Sequence, residues 1–372
     1  MDEIETKTLW SIDAFKETFS HQTHYQKALI VLTKNMAVKR YQFLRIVLNL
    51  LNELKIATLI YDEFDSEITT QDLIKGAEVA RDFECDLIIG IGGAKTLDAA
   101  KLIAALTKNP VNHIDFTALE KIEECLDIIA VPTTIHVKSA FSETALFVDG
   151  MRETIHSVKH KGFKPKFSLI LPEVIESLPN DVLILHTLEA LYTASEIFIL
   201  TGEHQERVRE IIETIHQTLQ EENLKENIVR LLESSVNLSQ IHHMITPLEA
   251  FERAFLLLHP EIPYGAAQSL CIMSYYHKLN HYSAYNQRIA ELADMVNVDA
   301  KGYDYPEQAQ AFLDYFKTFL NTLQMRSLDL KSYGVDSASI SDYVHYTKTI
   351  LNDQCPFSDD ELYDMFEESL TL

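Results

Sequence analysis

Glycine is scarce in this sequence, with 10 residues among 372. Ordinary proteins contain about 7% glycine, so this scarcity favours a helix-rich protein. Cysteine is also scarce, and the chain contains no CxxC pair. This spacing argues against a cysteine zinc site, and a disulfide framework is not expected in a chain of this size.

Basic residues are outnumbered: 32 Lys and Arg face 56 Asp and Glu, which gives a formal net charge of −24. A field of this sign repels phosphate backbones and anionic lipids, so we expect no nucleic-acid partner and no membrane attachment. No apolar run approaches the roughly 18 residues of a membrane span. The acidic start, Met1–Glu5, is unlike a secretory signal, so we expect a cytoplasmic protein.

The first part of the chain alternates short apolar runs with helical stretches. The runs are apolar throughout, which is typical of parallel strands buried on both faces. After residue 172 the pattern becomes helical to the end of the chain. The sequence therefore predicts an α/β domain with a parallel sheet over 1–172 and an all-helical domain over 173–372. The predicted strands are 28–32, 57–61, 86–89, 127–131, 144–148 and 168–171, and the predicted helices of the second part are 181–202, 203–221, 225–244, 248–258, 264–280, 284–297, 306–323, 336–351 and 358–369.

Three of the ten glycines lie together, at Gly90, Gly92 and Gly93, where a predicted strand runs into a predicted helix. Glycine at such a turn lets the backbone approach a pyrophosphate, which the amino end of the helix also attracts. A tight turn without a ligand is the alternative interpretation. The spacing matches neither GxGxxG nor a Walker sequence, so a standard Rossmann or P-loop fold is not indicated.

Residues 92–101, Gly-Gly-Ala-Lys-Thr-Leu-Asp-Ala-Ala-Lys, closely resemble the GGGxxxDxAK signature of the iron-containing alcohol dehydrogenase superfamily, and most nearly its glycerol dehydrogenase branch. Pro-Thr-Thr at 132–134 and the proline-bounded stretch 165–179 match two further landmarks of that superfamily. The resemblance implies a dehydroquinate synthase-like fold and an NAD or NADP cofactor. It also implies that the cofactor is contacted by Gly92, Gly93, Lys95, Asp98, Thr133, Thr134 and Ser142.

The choice between the two cofactors is indicated by the position after the first predicted strand. The superfamily often has an Asp there that binds the adenosine ribose, whereas this chain has Thr33-Lys34. Without the carboxylate a 2′-phosphate is not repelled, and Lys34 can pair with it. We therefore expect a preference for NADP(H); a surface lysine without a role is the alternative.

The resemblance also implies a divalent Zn or Fe ion, held in the helical domain by an Asp and two His. Here Glu189 stands where the Asp is usual, and Arg253 or Ala254 stands near the place of the first His. His259 is the candidate for the second His, while the adjacent His242 and His243 would face different directions on a helix. Glu189 and His259 alone make an incomplete site, so we expect no family-type metal.

The substrate loop departs from the family as well. Lys138 stands where glycerol dehydrogenases carry an Asp, and His136 lies two residues before it. This cationic pair suits an anionic substrate, with Lys138 polarising the substrate oxygen and His136 transferring the proton. Solvated loop residues are the alternative interpretation of both.

These features together predict an NAD(P)-dependent oxidoreductase that interconverts an alcohol or hydroxy acid with its carbonyl form. A catalytically silent relative, which keeps the nucleotide site for sensing or assembly, is the main alternative. A lyase of the dehydroquinate synthase type is a weaker one, because that chemistry also depends on bound metal. Superfamily members are commonly dimers or larger, so we expect a homo-oligomer that acts on a small molecule.

Overall fold

The computed structural model of the chain describes residues 5–21, 24–34, 38–64, 68–111, 121–122, 124–149, 154–242, 245–263, 265–323 and 333–371. The chain divides into two compact units, Met1–Leu178 and Pro179–Leu372. The division lies a few residues after the boundary at 172 that the sequence predicts. His243, one of the two adjacent histidines of the helical part, lies outside the described residues.

The N-terminal unit is built on a six-stranded sheet in the order β1-β8-β5-β4-β2-β3, with all neighbouring strands parallel, and a separate antiparallel hairpin of β6 and β7. The predicted α/β class is confirmed. The sequence did not predict β1 or β7. Strand β1 is only three residues long and has one buried side chain, so it gives no apolar run. The strands are β1 (Lys7–Leu9), β2 (Lys27–Val31), β3 (Ala57–Tyr61), β4 (Leu87–Gly92), β5 (Asp127–Pro132), β6 (Thr144–Asp149), β7 (Thr154–Lys159) and β8 (Phe167–Leu169).

Helices cover both faces of this sheet. The side chains of β2 alternate between two apolar cores. Leu29 and Val31 pack with the helices over 70–82 and 94–108, and Ala28 and Ile30 pack with the helices over 12–20 and 38–53. This burial on both faces explains the uninterrupted apolar runs in the sequence. The helices of this unit are α1 (Ile12–Ser20), α2 (Val38–Glu53), α3 (Thr70–Asp82), α4 (Ala94–Lys108) and α5 (Pro172–Glu176).

The C-terminal unit contains long helices and, within the described residues, no strand. Each helix predicted after residue 172 is present. Some begin at capping boxes that fix their ends, such as Thr246 with Glu249 and Ser358 with Glu361. The helices are α6 (Asn180–Leu200), α7 (Gln205–Leu219), α8 (Ile228–Ile241), α9 (Pro247–Leu258), α10 (Ala266–Asn280), α11 (Ser283–Met295), α12 (Tyr305–Thr322), α13 (Ile340–Leu351) and α14 (Asp359–Thr371).

Helix α6 is the central helix of this unit. It is long and apolar enough to cross a membrane, with a mean hydropathy of 1.4, but 78% of that stretch is buried inside the fold. Its residues from Thr187 to Ile199 are all buried. This is the burial expected of a core helix that is apolar on every side.

Candidate functional site

The carboxyl ends of three neighbouring parallel strands bring the predicted cofactor residues together. In the register of the sheet, Val31 of β2 pairs with Gly90 of β4, and Gly92 pairs with Pro132 of β5. The chain leaves β2 toward β3 on one side of it and returns to β4 on the other, so the strand order reverses here. Open α/β sheets bind ligands outside the carboxyl ends of the strands at such a reversal.

The glycines of the turn have two different structural roles. A Cβ on Gly90 would lie 2.8 Å from Cβ of Ala100, and one on Gly92 would lie 2.5 Å from Oγ1 of Thr96. These two glycines therefore allow α4 to pack closely against β4. Among the described residues, a Cβ on Gly93 would meet only Cγ2 of Thr134, at 3.5 Å, so a methyl group has room at Gly93.

Helix α4 begins at Gly93 without a side-chain cap. The first N–H groups of a helix have no partner within the helix, and its amino end carries a partial positive charge. An uncapped amino end with room beside Gly93 is therefore suited to an anion such as a pyrophosphate. Lys95, in the first turn, is half-buried. The residues present fit a dinucleotide phosphate.

The loop after β5 lies directly beside this turn, because the Thr133 N–H donates to the Gly92 carbonyl at 3.0 Å. The Thr133 hydroxyl is fully buried and has no hydrogen-bond partner among the described residues. The Thr134 hydroxyl donates to the carbonyl of His136 at 3.1 Å, which turns the chain. The side chains of His136 and Lys138 are half-buried.

Thr33 and Lys34 follow β2 at the same edge of the sheet. The Lys34 N–H donates to the Phe64 carbonyl at 3.0 Å, which fixes the backbone, while the Lys34 side chain is exposed. Thr33 is half-buried. The structure thus leaves a cation at the carboxyl end of the strand next to the glycine turn.

Asp98 and Ser142, which the resemblance assigns to the cofactor, are both buried, and their contact with the cofactor stays a prediction. Asp98 is 2% exposed; its two carboxylate oxygens accept from Nζ of Lys101 at 3.2 Å and from the Leu146 N–H at 3.2 Å. Ser142 is 4% exposed and accepts from the same Nζ at 2.9 Å. Both residues belong to a buried polar network between α4 and the start of β6.

Lys101 is the centre of that network and was not singled out from the sequence. Its side chain is fully buried, and its third hydrogen bond goes to the Thr144 carbonyl at 2.8 Å. Burial lowers the pKa of Lys101, while the charge of Asp98 opposes that shift. A lysine within an otherwise helical run gives no sign of such burial in the sequence.

In the C-terminal unit, the candidate metal residues do not fit a divalent cation. His259 has both ring nitrogens engaged: Nδ1 lies 2.9 Å from the Tyr333 carbonyl and Nε2 lies 2.7 Å from the Tyr343 hydroxyl. Glu189 is buried, with His186 Nδ1 at 3.4 Å from its carboxylate. The part of the chain that the structure describes contains no group of three or more His, Cys, Asp and Glu placed to hold a metal.

Two buried glutamates near these residues are protonation sites that the sequence did not reveal. Glu252 accepts from the Gly265 N–H at 2.7 Å and from the amide of Gln268 at 3.1 Å. Burial, together with the negative charge of Glu189, raises the pKa of Glu252 to about 8. Burial also raises the pKa of Glu196 to about 8.

The family model that matches this chain covers only its N-terminal unit. Residues 6–172 match the family model "Iron-containing alcohol dehydrogenase". The NADPH-dependent butanol dehydrogenase of Clostridium saccharobutylicum is 23% identical over 366 residues, which is 92% of this chain and 91% of that protein. Over residues 6–172, the chain is similar to iron-containing alcohol dehydrogenases.

Solved structures of alcohol dehydrogenases have the same fold over nearly the whole chain. An archaeal alcohol dehydrogenase from a Red Sea brine pool has a TM-score of 0.85 at 18% identity, covering 99% of this chain and 98% of its own. The NADH-dependent butanol dehydrogenase A of Thermotoga maritima has a TM-score of 0.85 at 16% identity, with the same coverage. The predicted two-part fold is confirmed.

The predicted class of function, an NAD(P)-dependent oxidoreductase acting between alcohols and carbonyl compounds, is confirmed by the family match and by these relatives. They do not favour the catalytically silent alternative. One relative is named for NADPH and another for NADH, so dependence on a nicotinamide cofactor is supported while the choice between the two is not. These relatives are butanol and other alcohol dehydrogenases, so the glycerol dehydrogenase branch stays a prediction.

Proposed function

We propose that this chain interconverts an alcohol or hydroxy acid with its carbonyl form, prefers NADP(H), and does so without a resident metal ion. The observation that carries the proposal is the uncapped amino end of α4, which has room beside Gly93 where the strand order reverses. Lys34 lies on one side of this turn and the Lys138 loop on the other.

The cofactor would be held chiefly by backbone. The first turn of α4 would receive the pyrophosphate, with Lys95 in the same turn, and the exposed Lys34 would pair with a 2′-phosphate. Thr134 would contact the cofactor from the next loop. The bound nicotinamide supplies the hydride that converts a carbonyl carbon into an alcohol carbon.

The protein's own groups supply the charge and the proton. The ammonium group of Lys138 would polarise the substrate oxygen, which is the role that a metal has in related sites. His136 would deliver the proton to that oxygen. Two cationic groups in a protein of net charge −24 also favour an anionic substrate, such as a 2-oxo acid, over a neutral aldehyde. Asp98 and Ser142 support this loop from inside the fold.

No step is assigned to a metal, because the His259 ring is already hydrogen-bonded through both nitrogens. The cytoplasmic location and the homo-oligomeric state stay predictions.

The first experiment is a fluorescence titration of metal-analysed protein with NADPH and NADH. We expect NADPH to bind more tightly than NADH, without a stoichiometric metal ion. One equivalent of Zn or Fe that is required for turnover would contradict the metal-independent mechanism. Failure to bind either cofactor would remove the proposed function and leave only the fold.

Substrate class is then tested with two carbonyl compounds of equal chain length, 2-oxobutanoate and butanal. We expect faster reduction of the oxo acid, and a large loss of that preference in Lys138→Met. Lys108→Met, at the exposed end of α4, is the matched control and should behave like wild type. Equal loss of activity on both substrates would show that Lys138 does not recognise the carboxylate.

A further inference from the structure

The buried side chain of Lys101 has more partners than its charge requires. It lies on α4 one turn after Asp98, and the pair is fully enclosed. A single carboxylate would suffice to neutralise the lysine. Instead, two of its three N–H groups are directed at another segment of the chain, to Oγ of Ser142 at 2.9 Å and to the carbonyl of Thr144 at 2.8 Å. All three donors of the ammonium group are therefore used.

The segment that Lys101 holds is the end of the loop that carries the proposed catalytic groups. The Lys138 carbonyl accepts from the Phe141 N–H at 3.0 Å and from the Ser142 N–H at 3.1 Å. Lys138 therefore begins a tight turn, Lys138–Ala140, whose far end is anchored at Ser142. The charge of Lys138 also acts on Lys101, so the two lysines are close enough to interact electrostatically.

The other end of the same loop is attached to the glycine turn by the bond from Thr133 N–H to the Gly92 carbonyl. The loop 133–142 is thus fixed at both ends to one structural unit, β4 and α4. That unit also presents the uncapped helix end at Gly93. The distance between the cofactor phosphates and Lys138 would then depend on the Lys101 contacts.

We propose that Lys101 is a positioning residue, which holds the His136–Lys138 loop in register with the cofactor turn by clamping Ser142 and Thr144 to helix α4. The inference rests on the proposed function for its catalytic consequence. It requires no contact between Lys101 and cofactor or substrate. Misplacement of a reacting group by about 1 Å can cost about a hundredfold in rate, so a small displacement of this loop would be measurable.

The principal test is Ser142→Ala, which removes one clamp contact and leaves the Asp98–Lys101 pair intact. We expect kcat to fall about tenfold, while the KM for the cofactor and the Kd for NADPH stay within about twofold. Ser168→Ala is the matched control, because Ser168 is a fully buried serine of β8 whose hydroxyl has no partner among the described residues. It should leave kcat and Kd unchanged.

A second variant and a second measurement keep the inference testable if one variant folds poorly. Lys101→Met should lower kcat further, but it leaves the Asp98 carboxylate buried without its cation and is expected to be less stable. Hydrogen exchange measured by mass spectrometry needs no substrate. In Ser142→Ala we expect faster exchange in residues 133–142, with no change in residues 92–101.

The outcomes separate this inference from the proposed function. Unchanged exchange and unchanged kcat in Ser142→Ala would overturn the clamp. Weaker NADPH binding by the same factor as the loss in kcat would also overturn it, because Ser142 would then be a direct cofactor contact. A wild-type protein that binds no NADPH would refute the proposed function, while faster exchange in Ser142→Ala would still support the clamp as a structural device.

Discussion

The glycine turn of the N-terminal unit and the Glu189–His259 region of the C-terminal unit differ in how closely they follow the superfamily pattern that the sequence resembles. The turn keeps its glycines, its uncapped helix and room at Gly93. In the helical unit, His259 is engaged by two tyrosines, and Glu196 and Glu252 are buried carboxyl groups whose pKa is raised to about 8. The difference supports the proposal that cofactor binding has been retained while the metal-dependent part of the chemistry has been replaced.

The largest expected effects come from two neighbouring glycines. Gly92→Ala would place a Cβ 2.5 Å from Oγ1 and 2.6 Å from Cβ of Thr96, so it should overpack the contact between β4 and α4 and destabilise the protein by about 1–3 kcal/mol. Gly93→Ala has room for its Cβ and should fold normally, yet bind NADPH at least tenfold more weakly, because the methyl group fills the anion site. Thermal unfolding and cofactor titration measure the two effects.

A single result would break this distinction. If Gly93→Ala binds NADPH as wild type does, the start of α4 is not the phosphate site. If Gly92→Ala is as stable as wild type, the close approach of α4 to β4 does not require glycine.

The second prediction concerns pH and the helical unit. Glu196 is 1% exposed and accepts from the Leu248 N–H at 3.0 Å, and its pKa is raised from 4.5 to about 8 by burial. The folded state therefore holds this proton more tightly than the unfolded state. The contribution of Glu196 to stability should therefore be largest below about pH 4.5, and it should be lost as the pH rises toward 8.

Glu196→Gln keeps an acceptor for Leu248 and removes one of two such titrations, so it should reduce the loss of stability between about pH 5 and pH 8. Glu252, whose pKa is also raised, keeps its own contribution. Glu233→Gln, at an exposed position of α8 in the same unit, is the control and should keep the wild-type slope. Urea unfolding at several pH values measures this. An unchanged slope in Glu196→Gln would show that Glu196 is ionised in the folded protein.

The third prediction tests cofactor choice. Lys34→Ala should weaken NADPH binding about fivefold at low salt and leave NADH binding nearly unchanged, because an exposed pair with a phosphate contributes about 1 kcal/mol. Lys108→Ala, at the exposed carboxyl end of α4, serves as the control for a general change of charge. Equal weakening of both cofactors would place Lys34 beside the pyrophosphate instead of the 2′-phosphate.

The sequence was sufficient to predict the fold and the position of the glycine turn. It was not sufficient to predict which polar side chains are buried. Apolar runs such as 57–61 and 127–131 identify buried strands, and periodicity identifies the helices after residue 172. The resemblance assigned Asp98 and Ser142 to the cofactor, and it does not show that both side chains are buried against Lys101. Lys101 and Glu252 were missed, because charged residues are assigned to the surface unless a partner is known.

The smallest expected effect concerns the His259 contacts, and it tests whether this region is structural. Tyr343→Phe removes the hydroxyl that lies 2.7 Å from Nε2 of His259 and should lower the free energy of unfolding by about 0.5–1.5 kcal/mol. Freeing the ring nitrogen would increase metal uptake if His259 belonged to a latent metal site, so metal content after exposure to Zn²⁺ is measured alongside stability. We expect no bound metal and unchanged NADPH affinity, since one imidazole and the Glu189 carboxylate are too few ligands for a divalent ion. Stoichiometric zinc in this variant would mean that the helical unit has retained a metal site. The helical unit would then have kept its metal-binding residues, as the glycine turn has kept its cofactor-binding residues.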